Sequence, residues 1–437
     1  MSYSDNILEY VKANLEESKQ DFDNITEQIR LSDLNFKNWC IKTLAAPKVF
    51  TTDDEKLIKE FVANCFSIFN KVISRYIDDP EYRRLFPYSK ELEDLVTLPA
   101  QYSVQIPMAR VDFFFNEETK DIKLCEINTD GASAMNEVRI FNTLLPFNSA
   151  FKHVLGDNYR TYELFDTWIN EFMKLWDEHS GNKPNPKVAI VDFLDKATLN
   201  EFTRFKEAFE RRGIDCIVCD IRELEYDGIT LSHKGRSIDI IYRRAVTSDI
   251  VANIDEVRPF ITAVRDNNVC IVGGFRTQII HNKASFIVLH SAETNAFLSE
   301  EEKAFVRRHV PITKVLSESS ANQENIFNTK DNWIIKPFDL YASKGVHAGV
   351  DYSNDEWCDV VRQAINTGEY LLQEFTVPYR TNNIDFSEEN PKVESYCNMT
   401  GAFCYNENVY AVYSRLSKDN IIIPGNNEKV IPTVIAK

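Results

Sequence analysis

VQIPMARVDFFFNEETKDIKLCEIN, residues 104 to 128, holds two apolar runs joined by a polar turn. Side chains alternate along a strand, so Arg110 and Asp112 share one face of the first run, and Glu126 and Asn128 share one face of the second. With the turn centred on Thr119, Asp112 stands opposite Glu126 and Arg110 opposite Asn128. Carboxylates opposed in this way have Cβ atoms only about 5 Å apart and repel one another. Something cationic is therefore expected between them. Magnesium suits the gap, because it takes oxygen ligands from one or two carboxylates together with phosphates and water. Asp112, Glu126 and Asn128 would supply the oxygens, and Arg110 a fixed positive charge for phosphoryl oxygens. The hairpin alone favours a plainer alternative, a solvated turn in which Arg110 pairs with the carboxylates.

On either side of this hairpin the pattern changes. From Ser4 to about Ser89 apolar residues recur at helical spacing, as in Leu57, Phe61, Cys65, Ile68 and Val72. Helix is also expected from Asn136 to about Asp177, followed by the linker GNKPNPK at 181–187. Then KVAIVDF, a helical EFTRFKEAFERRG, DCIVCDI and SIDIIYRRA alternate as in a small parallel α/β domain. A third region runs from Ile279 through NWIIKPFDL, a helix near 355–366, EYLLQEF and the closing strands around GAFCYNENVYAVYSRLS.

The chain has 437 residues, enough for several cores, with 43% hydrophobic and 12% aromatic residues, as in an ordinary globular protein. A formal charge of −17 argues against general affinity for nucleic acid or anionic membranes. The nine cysteines are odd in number and scattered, as reduced intracellular thiols are. Cys216 and Cys219 form a lone CxxC whose members fall on opposite faces of a strand, which reads as core packing. The acidic N-terminus lacks the regions of a secretory signal, and no apolar run approaches the length of a membrane span. A cytoplasmic protein is expected.

WIIKPFDLYASKGVHAG (333–349) places Lys336 on an apolar strand, followed by a loop with Ser343, Lys344 and Gly345. Backbone amides and a lysine in such a loop can hold phosphates. No Walker A and no G-x-G-x-x-G motif is present, so phosphate contacts fall to lysines on strands, Lys336 and Lys283 in IIHNKASFIVLH. For each lysine the alternative is a strand-edge charge facing water. His281 and His347 have no metal-ligand spacing, and no Ser/His/Asp or Cys/His arrangement stands out.

Taken in order, RVDF, CEINTDGASAMNE, NKASF, WIIKP with its SKGV loop, YLLQEF and YSRLS resemble the synthetase domain of glutathionylspermidine synthetase and its circularly permuted ATP-grasp relatives, over roughly residues 100–437. The resemblance implies an α/β ATP-grasp fold in which the metal hairpin precedes the nucleotide-binding strands. Its expected divisions are an N-terminal helical region (1–98), the hairpin and helices of the ATP-grasp module (99–182), an inserted Rossmann-like pre-ATP-grasp domain (183–278), and the nucleotide-binding and closing strands (279–437).

It also implies roles. Asp112, Glu126 and Asn128 would hold Mg2+. Arg110 and Arg415 would act in catalysis on phosphoryl and acyl-phosphate charge. Lys283, Lys336, Ser343, Lys344, Gly345, Gln373 and Glu374 would bind ATP, the last two at the adenine-side hinge. Asp130, Ser133 and Glu137 would meet substrate, and Arg244 (with Arg243 beside it) would receive a substrate carboxylate unless salt-bridged to Asp249 or Asp239. Gly131-Ala132 stand where the family carries Thr-Pro, which leaves the acceptor open. The expected reaction joins a small acid to an amine through an acyl phosphate, releasing ADP and phosphate. A small-molecule kinase and a non-catalytic nucleotide-binding module are the rivals. Partners are then small acids and amines, with no nucleic acid and no membrane.

Overall fold

The computed structural model describes residues 2–34, 40–340 and 343–437. Its largest sheet sets Lys429–Ile431, Asn408–Ser417, Val393–Tyr405, Met108–Phe115 and Ile122–Asn128 side by side in that order, with Arg380–Ile384 also paired to Val393–Tyr405. Every pairing is antiparallel.

One face of this sheet is closed by the helix Thr52–Asp78. That helix begins with a reciprocal cap, the Thr51 hydroxyl accepting from the Asp54 N–H and the Asp54 carboxylate accepting from the Thr51 N–H. Its stripe of Ile58, Phe61, Val62, Cys65, Phe69 and Val72 packs with Ala109, Val111, Phe113 and Phe115 of the sheet. Each large apolar side chain buried there contributes about 1.5–3 kcal/mol. The alternate residues Arg110 and Asp112 are thereby turned to the other face.

The partner strand reaches the same result through a bulge. Asp112 opposes Glu126, but the next pair is Phe113 with Leu124, so Cys125 is an extra residue. An inserted residue reverses the alternation. Leu124 and Ile127 therefore both join the helix-side core, while Glu126 and Asn128 face the same way as Asp112. The pairing centred on Thr119 holds above the bulge and shifts by one residue below it.

A second antiparallel sheet, in the order Thr313–Val315, Tyr370–Glu374, Trp333–Pro337 and His347–Ala348, is backed by the helix Asn354–Thr367. Ser353 and Glu356 cap the start of that helix, and Gly368 ends it in the left-handed conformation. Trp357 and Val361 pack on Trp333, Ile335 and Leu372. The third sheet is parallel, ordered Cys270–Val272, Ile240–Arg243, Val188–Asp192 and Cys216–Asp220. Cys216 lies in the core beneath Phe205 and Phe209, and Cys219 in the core containing Phe260, on opposite sides of the strand.

Two expectations are corrected. The region from Ser4 to Ser89 is not wholly helical, since Lys48–Phe50 is a strand pairing in parallel with Thr433–Ala436, which also pairs with Tyr159–Arg160. Lys283 is not on a strand. IIHNKASFIVLH forms two short helices, Gln278–His281 and Ala284–Leu289, with Lys283 just before the second, because a short apolar run has no period that separates helix from strand. No helix among the described residues is long and apolar enough to cross a membrane.

Candidate active site

A cleft of about 450 Å³ opens between the faces of the first two sheets and the C-terminal ends of the parallel strands. Thirteen of the sixteen expected site residues line it: Arg110, Glu126, Asn128, Asp130, Ser133, Glu137, Arg244, Lys283, Lys336, Ser343, Gln373, Glu374 and Arg415. Asp112, Lys344 and Gly345 do not. Tyr341 and Ala342, which lead into the loop expected to hold phosphates, lie outside the described residues.

Asp112 sits beneath the cleft floor, with no exposed surface. Arg110 grips it with two parallel hydrogen bonds, Nε to Oδ1 at 2.8 Å and Nη2 to Oδ2 at 2.9 Å. Arg415 Nη2 donates to Oδ2 at 2.8 Å, and Asn128 Nδ2 at 3.1 Å. This arrangement needs Gly401, which opposes Asp112 on the next strand, since an added Cβ would stand 2.8 Å from Oδ1 and within 3.2 Å of the Arg110 stem. Burial alone would weaken the Arg110 charge, but Asp112 more than offsets this and holds the guanidinium firmly protonated. Asp112 is thus an anchor for two arginines and not an open metal ligand as expected. Three of its four hydrogen bonds fall on Oδ2 and one on Oδ1.

Glu126 faces the cleft. Burial pushes its carboxyl up, but Lys283, the Asn128 amide, Arg415 and Lys336 outweigh that and bring it down to about 2. Lys283 Nζ is 3.7 Å from Oε2, and also donates to the Leu340 carbonyl at 3.0 Å. Across the cleft Lys336 Nζ donates to Gln373 Oε1 at 2.8 Å, and Gln373 Nε2 to Thr313 Oγ1 at 2.9 Å. Gln373 is buried and aims Lys336. Glu374 accepts from the Ile312 N–H at 3.2 Å. Ser343 donates to the Ile422 carbonyl at 2.8 Å, tying the loop to the opposite lip.

The substrate residues are placed differently from expectation. The Asp130 side chain is 2% exposed and ion-paired to Arg243 Nη1 at 2.6 Å, while its other oxygen accepts from the Thr247 N–H. Arg244 pairs with Glu201 at 2.9 Å and donates to the Tyr242 hydroxyl at 2.9 Å. Both arginines are thus already ion-paired, to Asp130 and Glu201 and not to Asp239 or Asp249, while Arg244 Nε is left without a hydrogen-bond partner. Breaking a buried pair costs about 3–5 kcal/mol, so Asp130→Ala should destabilise by that amount in urea unfolding; an unchanged midpoint would show the pair contributes nothing.

Glu201, absent from the expected set, has a second duty. Its Oε2 accepts from the Met135 and Asn136 N–H groups, capping the helix Met135–Leu144 at the cleft wall. Gly131 lets the preceding loop pass this close, with φ of +69° and a would-be Cβ only 2.8 Å from the Arg244 carbonyl. Glu428, 3.5 Å from Arg415 Nη1, and Asp192, which burial raises to about 6 against Arg244, also line the cleft. Nothing in the sequence around these three residues marks them. Among the described residues no group of three or more His, Cys, Asp or Glu is arranged to hold a metal ion.

As a fold, the structure is similar to a glutathione synthetase-like effector from Globodera pallida, solved in its apo form, with a TM-score of 0.62, 10% identity, and 97% of each chain covered. That likeness shows a shared fold. A putative gamma-glutamylcysteine synthetase from Methylobacillus flagellatus (TM-score 0.45, 10% identity, 88% of this chain and 89% of that one) matches more loosely. So does D-alanyl-alanine synthetase A from Vibrio cholerae (TM-score 0.30, 9% identity, 57% and 88%), and neither of these two likenesses is close enough to bear on function. By sequence, no family model and no curated protein matches the chain.

Proposed function

We propose that the chain is an ATP-dependent carboxylate–amine ligase of the ATP-grasp kind, built in permuted order, and that the cleft activates a small acid as an acyl phosphate. One observation carries this reading. Lys336 from one antiparallel sheet, and Arg110, Arg415, Glu126 and Asn128 from the other, converge on a single cleft with Lys283 at its edge. Phosphoryl transfer needs positioning and charge neutralisation more than a protein nucleophile, and these are the groups the cleft offers. The end-to-end fold likeness to a glutathione synthetase-like protein supports it, as does the motif order that resembles glutathionylspermidine synthetase.

The donor set fits magnesium through two residues. Glu126 stays ionised, and Asn128 turns its Nδ2 to Asp112 and Glu126, leaving its carbonyl oxygen as the remaining acceptor. One carboxylate and one amide oxygen, completed by phosphates and water, match the usual protein share of a magnesium shell. The metal, when bound, would neutralise phosphate charge.

The chain's own groups do the rest. Lys336, aimed by Gln373, and Lys283 meet the nucleotide phosphates. Arg110 and Arg415 still have N–H groups beyond those used by Asp112, Ser133 and Glu428, and these receive the acid carboxylate and the acyl phosphate it becomes. The glutathionylspermidine synthetase-like substrate pair and the domain divisions at 98, 182 and 278 belong to the same proposal.

The test is ADP release from Mg-ATP with pools of amino acids, small peptides and polyamines, with products read by mass spectrometry. A product lighter by one water than its two parts is expected. A phosphorylated product with no amine dependence would replace this reading with a kinase, and nucleotide binding without release in any pool would replace it with a binding module.

A further inference from the structure

Among the cleft carboxylates that the proposed phosphoryl transfer does not use is Glu137. Glu137 lies in the first turn of the helix Met135–Leu144, whose first two N–H groups are already bonded to Glu201. It lines the cleft, is only partly buried, and forms no ion pair among the described residues. Groups from four other elements face it. Glu201 comes from the helix Leu199–Glu210, Arg110 from Met108–Phe115, Tyr413 from Asn408–Ser417, and Glu428 from the loop before Lys429–Ile431. The one cation among them, Arg110, already donates to Asp112 and the Ser133 carbonyl.

Glu137 and Glu428 therefore line the same cleft as the arginine pair, Glu428 at 3.5 Å from Arg415 Nη1. If an acyl phosphate rests on those arginines, the amine that attacks it enters a cleft lined by these two carboxylates. Most amines are ammonium ions near neutral pH and cannot attack until a proton is removed. A base within reach of the reacting nitrogen is what the second half-reaction requires and the first does not.

We propose that Glu137 is the catalytic base that takes the proton from an incoming primary ammonium, with Glu428 holding the same cation at its other side. The inference rests on the ligase reading. In the step, the ammonium gives one proton to the Glu137 carboxylate and the freed nitrogen lone pair forms a bond to the acyl carbon. The carbon–oxygen bond to phosphate then breaks, phosphate leaves with that electron pair, and the second nitrogen proton goes to the departing phosphate. The products are an amide, hydrogen phosphate and a protonated Glu137, which returns its proton to solvent.

The local electrostatics suit the task. Partial burial, and then the negative charge of Glu201 behind it, push the Glu137 carboxyl above the usual carboxylate range, with Glu428 adding and Arg110 opposing. A carboxylate raised in this way is a far better proton acceptor than an ordinary one, and a general base works best when its affinity for protons is near the working pH. As Glu137 must be ionised to act, amide formation should rise with pH and level off once the raised carboxyl has lost its proton.

The experiment compares wild type with Glu137→Gln, using Mg-ATP, a pool of the proteinogenic amino acids and γ-glutamyl dipeptides as acids, and three nucleophiles. Hydroxylamine is neutral near pH 7 and traps an acyl phosphate without needing a base; glycine and putrescine arrive as ammonium ions. Glu137→Gln should lower amide formation from glycine or putrescine by about 10²–10⁴-fold, and hydroxamate formation by less than about threefold. It should also remove the rising alkaline limb of kcat/KM for the amine. Equal loss with all three nucleophiles, or an unchanged limb in the variant, would overturn the base assignment. Hydroxamate from wild type without amide from either amine would overturn the primary-ammonium acceptor. No hydroxamate from wild type would fell the ligase reading itself, and this inference with it.

Discussion

Asp112→Ala should destabilise the folded chain by about 3–5 kcal/mol and abolish turnover, because it strands two arginines at once. The carboxylate has no exposed surface and receives four hydrogen bonds, two from Arg110 and one each from Arg415 and Asn128. Without it, Arg110 and Arg415 repel across the cavity that the side chain leaves. Urea unfolding monitored by tryptophan fluorescence measures the first effect, and ADP release the second. A variant with the wild-type midpoint would show that the arginines find other partners, and the anchor role would be lost.

Glu126→Ala should behave differently. Its side chain is 28% exposed and its nearest cation, Lys283, is 3.7 Å away and held independently by the Leu340 carbonyl. Loose, part-exposed pairs contribute little to stability, so the midpoint should fall by less than in Asp112→Ala, with the loss set by the cations that hold this carboxyl low. Turnover should fall by about 10²–10³-fold, the scale seen when one preorganised charged group is removed from a reaction centre. The apparent magnesium requirement should rise with it. Retention of both rate and magnesium dependence would remove Glu126 from the site.

On the sequence these two acids read as equivalent, opposed across a hairpin, and the pairing of Asp112 with Glu126 was legible from alternation alone. Their different fates were not. What separates them is Arg415, which arrives on Asn408–Ser417, and the space left by Gly401 on Val393–Tyr405. Period two says which residues share a face; it says nothing about which distant strand will lie alongside.

The parallel α/β segment and the strand carrying Lys336 were legible for the same reason, being local patterns. Arg243 and Arg244 show the limit again. Their partners, Asp130 and Glu201, lie on a loop and a helix far away along the chain, while the expected Asp239 and Asp249 are near in sequence and paired with Lys183 and Lys196. The bulge at Cys125 was hidden too. One extra residue in an otherwise regular alternation decides that Ile127 goes to the core and Glu126 to the cleft, and no glycine or proline marks the place.

The neighbour of Met108–Phe115 on its free side is Val393–Tyr405, which leaves the ribosome long after it. Until then this phenylalanine-rich strand has a hairpin partner on one side and nothing on the other. Sheet closure across so long a stretch of chain is slow, and an unpaired apolar edge invites pairing between molecules. Overproduction in a fast-translating host at high temperature should therefore drive the protein into inclusion bodies, and slower synthesis in the cold should recover it in soluble form.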